Sequence, residues 1–224
     1  MTRTASLLAA GIALAVATAL PPAAASAEAG FNAIRGTDRA DVLAGTDGRD
    51  TIRARDGRDH LLGKNAIDLL RGGDGDDYSH GGGRSDFLSG GADNDMDRGG
   101  NGGDYVLSLN GNDVVVGGHG DDWLVLGRGK DRGMAGEGSD AVIILNDHTM
   151  DEIDCGPGRD VVAVEPDVDA KDTFKHCERT ITLDRFFSSP QNDHPPVLDV
   201  LFELESGAAS RAAVDSTRRM LAAR

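Results

Sequence analysis

Twelve aspartates recur at intervals of nine residues: Asp41, Asp50, Asp59, Asp68, Asp77, Asp86, Asp95, Asp104, Asp113, Asp122, Asp131 and Asp140. Carboxylates fixed in a lattice are hard oxygen donors, which suit Ca²⁺ better than zinc or copper. Glycine-rich stretches precede most of them. In phase, the blocks read GTDGRDTIR from Gly45, GGDGDDYSH from Gly72, GGNGGDYVL from Gly99 and GGHGDDWLV from Gly117. The pattern approaches G-G-x-G-x-D-x-U-x, with U apolar. Glycine at positions 1, 2 and 4 allows positive φ and lets backbone carbonyls come close to a ligand. All twelve aspartates are therefore candidate metal ligands.

A nine-residue unit cannot fold alone, because its short strand buries too little to offset the entropy of ordering it. The period instead predicts a solenoid. Six residues should form a turn and three a strand, with turns alternating sides so that two repeats make one coil. Repeats i and i+2 then stack about 4.8 Å apart, placing Asp41 over Asp59 over Asp77 on one edge and Asp50 over Asp68 over Asp86 on the other. Position 8 should face the interior, and it is apolar except at Ser79, Asp97 and Gly133. One apolar residue per strand is what a thin two-sheet core holds. Stacked carboxylates repel, so a metal-free coil should be strained or unfolded, and a divalent cation between turns would remove the repulsion.

Over 36–143 these residues resemble the RTX, or haemolysin-type, calcium-binding repeats. The resemblance implies an all-β parallel β-roll in which each position-6 aspartate binds Ca²⁺ through its side chain and turn carbonyls complete the shell. Some blocks depart from the family pattern. Arg39, Ala66, Arg84 and Asp93 replace the fourth-position glycine, and Ser108 and Leu126 replace the first. The segment around Cys155 also looks like the end of the repeat array in small exported calcium-binding proteins of high-GC bacteria.

Residues 1–27 read as a secretory signal peptide: Arg3, an apolar run over 7–20, then Pro21-Pro22 and small residues to Ala27. The run is too short for a membrane span, and export places the chain outside the cell. Without this segment, which removes only Arg3, 22 Lys and Arg face 38 Asp and Glu, a net of −16. Such a charge repels nucleic acid and anionic lipid. After a lead-in over 28–35 and the roll over 36–143, residues 144–183 should form a capping coil stapled by a Cys155–Cys177 disulfide. Asp160 falls at position 6 there, and Asp167, Asp169 and Asp172 could hold a further cation. Residues 186–196 look like a linker within a tail over 184–224, in which 197–204 alternates like a strand and 208–221 suits a helix.

No catalytic pattern is present: H-E-x-x-H, G-x-S-x-G and G-x-x-x-x-G-K-[ST] are all missing, so the expected protein is not an enzyme. The six histidines fall at variable positions and read as surface residues. Asp93-x-Asp95-x-Asp97 resembles an EF-hand start, but Arg98 stands where that loop needs glycine. Position 7 should face outward, and on alternate repeats it is Leu69, Phe87, Tyr105 and Trp123. Such a ladder stabilises cross-strand stacking, with the tail over 197–204 as its expected cover. Left exposed, Phe87, Tyr105 and Trp123 would suit a cell-surface glycan or protein partner.

Overall fold

The computed structural model describes residues 30–145, 148–164, 171–183 and 186. The leader over 1–27, Asp167, Asp169 and the tail segments over 197–204 and 208–221 lie outside the described residues.

The chain folds into two parallel sheets and crosses from one to the other at every strand. The nine-stranded sheet holds β1 (Asn32–Arg35), β3 (Asp50–Asp56), β5 (Leu69–Asp74), β7 (Phe87–Ala92), β9 (Tyr105–Leu107), β11 (Trp123–Leu126), β13 (Ala141–Ile144), β15 (Val161–Val164) and β17 (Arg179–Thr182). The eight-stranded sheet holds β2 (Val42–Ala44), β4 (His60–Lys64), β6 (Tyr78–Gly83), β8 (Met96–Asn101), β10 (Val114–His119), β12 (Arg132–Glu137), β14 (Glu152–Asp154) and β16 (Thr173–Lys175). This is the parallel β-roll that the nine-residue period predicts. Pairing follows the two-repeat coil: Leu69 lies beside Phe87, Phe87 beside Tyr105, and Tyr105 beside Trp123.

Several strands are longer than the three residues expected. β5 spans positions 7 to 9 of one repeat and 1 to 3 of the next, and Gly73 pairs with Gly91 in the ladder. The second-position glycine thus belongs to the sheet as well as to the turn. Past Ile144 the same sheets continue with a longer step, since Ala141 pairs with Val161 and Glu152 with Thr173. Cys155, fully buried, is bonded to Cys177 across a Cα separation of 5.2 Å.

The interior is filled by position 8, including Ile52, Leu70, Leu88, Leu61 and Val115. It also holds Ala54, Leu126 and Ala135 from position 1, so at these three repeats the core accepts a second apolar side chain in place of the first glycine. A separate apolar cluster covers the outer face of the nine-stranded sheet. There Phe87 stacks on Tyr105 with ring centroids 5.0 Å apart, and Tyr105 meets Trp123 at 5.9 Å.

The aromatic row points outward, as its position in the repeat requires, but it is buried. Leu183 and Phe186 belong to the cluster, and Phe186 meets Trp123 edge-on at 5.8 Å. Phe186 is therefore packed, where the sequence suggested the start of a linker. The other sheet's outer face stays open, with Val42 76% exposed.

Candidate metal centre

All twelve position-6 aspartates fall into two columns, one along each edge of the roll. In each column the backbone amide of one aspartate donates to Oδ1 of the aspartate one coil further on. Distances run from 2.6 Å for Asp41 to Asp59 up to 2.9 Å for Asp113 to Asp131. The second column repeats the pattern, as in Asp50 to Asp68 at 2.7 Å and Asp122 to Asp140 at 2.8 Å. Both columns run past the twelve repeats. Asp131 donates to Asp151 and Asp151 to Asp172; Asp140 donates to Asp160, and Asp160 to Glu178.

One oxygen of each carboxylate is thus consumed by the backbone, and the other decides what the column can bind. Asp41 and Asp50 satisfy theirs locally, through the amides and hydroxyls of Thr37 and Thr46 at position 2 of their own turns. These hydrogen bonds hold the Asp41 carboxyl below the usual carboxylate range. In contrast, Oδ2 of Asp59, Asp68, Asp77, Asp86, Asp95, Asp104, Asp122 and Asp140 is buried with no hydrogen-bond partner. Buried polar atoms are rarely left so. A row of such carboxyl oxygens is a donor set that a cation would satisfy.

The first glycine of each repeat leaves the space beside that oxygen empty. A Cβ built on Gly63 would lie 2.6 Å from Asp68 Oδ2 and 2.5 Å from the Gly81 carbonyl oxygen. The Asp68 carboxylate and the Gly81 carbonyl oxygen therefore converge beside the Gly63 backbone, and both are hard donors of the kind Ca²⁺ takes. The same pairing of carboxylate and next-coil carbonyl recurs at Gly72 (Asp77, Gly90), Gly81 (Asp86, Gly99) and Gly117 (Asp122, Ala135). The residues present therefore fit a hard divalent ion. In the turns of Asp59, Asp113, Asp131 and Asp140, position 1 is Ala54, Ser108, Leu126 and Ala135, whose side chains take that space. The Ser108 hydroxyl also lowers the pKa of Asp113 against the raising effect of burial.

Two of the four fourth-position departures keep the backbone of a glycine turn. Arg84 and Asp93 adopt φ of 77° and 74°, the left-handed backbone that Gly75 and Gly102 supply elsewhere. The turn keeps its shape at a cost of roughly 1–2 kcal/mol per residue.

Burial is the main cause of high carboxyl pKa values along the columns, because it disfavours the charged form. It pushes Asp68 up to about 6, Asp77, Asp104 and Asp140 to about 7, and Asp86, Asp95 and Asp122 to about 9. Neighbouring carboxylates add to the rise, as Asp104 does for Asp86. The backbone hydrogen bond to Oδ1 works against it but does not cancel it.

Among the described residues no point gathers three or more His, Cys, Asp or Glu side chains. Donor sets made of carboxylate plus main-chain carbonyl are the kind Ca²⁺ uses. Three of the described histidines pair away from the columns: His60 tilts against Tyr78, His119 meets Glu137 at 3.1 Å, and His176 meets Asp154 at 2.7 Å. Asp151 escapes the sequence pattern because it lies 20 residues after Asp131, out of the nine-residue phase, and Glu178, 18 residues after Asp160, because it is a glutamate. Asp97 stands out in the sequence as a break in the apolar series at position 8 and as the last member of Asp93-x-Asp95-x-Asp97.

Among the described residues, no helix is long and apolar enough to cross a membrane. The chain matches no curated protein. The family model for the RTX calcium-binding nonapeptide repeat matches in four copies, at residues 35–70, 71–106, 98–133 and 107–142. Those spans coincide with the coils whose aspartates form the two columns, and by them residues 35–142 are repeats of the RTX calcium-binding nonapeptide family.

Proposed function

We propose that this chain is a secreted, non-enzymatic protein that binds Ca²⁺ in its repeat turns and completes its fold on binding. The observation that carries this reading is the row of buried Oδ2 atoms without partners beside first-position glycines. Unpaired buried carboxylates destabilise a fold. An ion shared between a carboxylate and the next coil's carbonyl turns the same atoms into cross-links between coils, so binding free energy becomes folding free energy. The residues expected to bind are Asp68, Asp77, Asp86, Asp95, Asp104 and Asp122, each with its glycine.

Secretion is supported by the leader-like pattern over 1–27 and by the Cys155–Cys177 disulfide, since such bonds persist in oxidising compartments. Outside the cell an affinity of about 10⁻⁴–10⁻³ M suffices. The alternative of a glycan- or protein-recognition surface on Phe87, Tyr105 and Trp123 draws no support from their packing, because all three are buried. Equilibrium dialysis of the full chain against Ca²⁺ tests the reading. Several ions per chain with millimolar or tighter dissociation constants are expected, and no binding above a Mg²⁺ control would overturn it.

A further inference from the structure

The interior column of the eight-stranded sheet has one anionic member. Asp97 lies between Ser79 and Val115 on neighbouring strands, at the position that elsewhere carries Leu61 or Ile153. It is 0% exposed, and the hydrogen-bonding groups beside it, the Ser79 hydroxyl and the Gly90 amide, are both neutral. The basic residue next in sequence, Arg98, is exposed on the opposite face of β8. A buried carboxylate with no counter-charge is retained at a core position only at a large desolvation cost.

Its direction shows what could offset that cost. A Cβ on Gly90 would lie 2.6 Å from Asp97 Oδ2, and Asp95 Oδ2 faces the same space. In the cradles at Gly63, Gly72, Gly81 and Gly117 a single carboxylate faces a carbonyl. At Gly90 two carboxylates converge, both with Oδ2 buried.

We propose that the Gly90 cradle is a two-carboxylate divalent-cation site in which Asp97, from the interior of the roll, is a ligand beside Asp95. The inference rests on the reading that the cradles bind Ca²⁺, and it adds an interior ligand outside the nonapeptide pattern. Two formal negative charges match the ion's charge within the site. Ligand charge count is a main determinant of Ca²⁺ affinity, so this site is the tightest of the roll and the first to fill.

The test is calorimetric Ca²⁺ titration of the full chain, comparing wild type with Asp97→Leu and Asp97→Asn. Leucine supplies the side-chain type found at this position in neighbouring coils, and asparagine keeps the shape while removing the charge. Wild type should show one event tighter than the rest. In Asp97→Leu that event should vanish and the stoichiometry fall by one, with the remaining sites retained. Asp97→Asn should weaken it about tenfold or more. Should the leucine variant fail to fold, the asparagine variant alone decides. Unchanged tightest affinity and stoichiometry in the variants would overturn the site while leaving the calcium reading intact. Absence of Ca²⁺ binding by wild type would overturn both.

Discussion

The backbone amide of Asp104 donates to Oδ1 of Asp122, one coil away, at 2.7 Å, and Oδ2 of both carboxyls remains buried without a partner. The first oxygen therefore serves the fold and the second is free for an ion. Asp122→Asn keeps the shape and the backbone acceptor but removes the charge from the cradle at Gly117. Calcium affinity at that site should fall about tenfold. Asp113→Asn, in a turn whose space is filled by Ser108, should change the calcium titration by less than about threefold on the same argument from ligand charge. Equal losses in the two variants, measured by calorimetry, would show that first-position glycine does not set site quality.

Much of this was legible in the sequence because the repeat fixes both the backbone and the ligand. An aspartate every nine residues forces the two columns, and Leu70, Leu88 and Val106 at position 8 mark the side that must be interior. The ranking of sites was not legible. Departures at the first and fourth glycines look alike in the sequence, yet Arg84 and Asp93 reach the same left-handed backbone, whereas Ala54 and Leu126 at position 1 add side chains beside the carboxylate. The role of Phe186 was hidden for another reason. Its partner Trp123 is 63 residues earlier in the chain, and no local pattern reports a contact at that separation.

Acidity should oppose calcium. In the metal-free roll, burial holds Asp68 at about 6, Asp77, Asp104 and Asp140 at about 7, and Asp86, Asp95 and Asp122 at about 9. Unfolding returns them toward the ordinary value near ~3.9. The folded chain then binds more protons than the unfolded one across about pH 4–9, so metal-free stability falls as pH rises through that window. Calcium must displace those protons, and its midpoint should drop steadily from pH 5 to pH 9. Titrations followed by circular dichroism at pH 5, 7 and 9 check this; a midpoint that does not move would contradict it.

Removing the ring that covers Trp123 should expose the outer aromatic face. Phe186→Ala is expected to cost roughly 3 kcal/mol, as for other buried aromatic truncations. The fluorescence of Trp123, the only tryptophan in the chain, should shift to longer wavelength. Calcium stoichiometry should be unchanged, because the columns lie at the edges of the roll. An unshifted spectrum would mean that Phe186 does not shield this face.

The disulfide should act on stability without touching the ions. Cys155 and Cys177 are 22 residues apart, and closing a loop of that size restricts the unfolded chain by about 3 kcal/mol in the loop-entropy account. Replacing both cysteines with serine should lower the denaturation midpoint in calcium by that amount and leave the number of bound ions unchanged. Loss of bound calcium in the double variant would tie the bond to the metal sites.

Calcium-dependent folding is the central claim, and far-ultraviolet circular dichroism of the full chain at pH 8 tests it most directly. In chelator, where the carboxyls of Asp68, Asp77, Asp104 and Asp140 are mostly ionised and unpaired, the β-sheet signal should be largely lost. Millimolar Ca²⁺ should restore it cooperatively, Mg²⁺ should not, and renewed chelation should abolish it. A spectrum that is equally folded in chelator and in calcium would contradict the account.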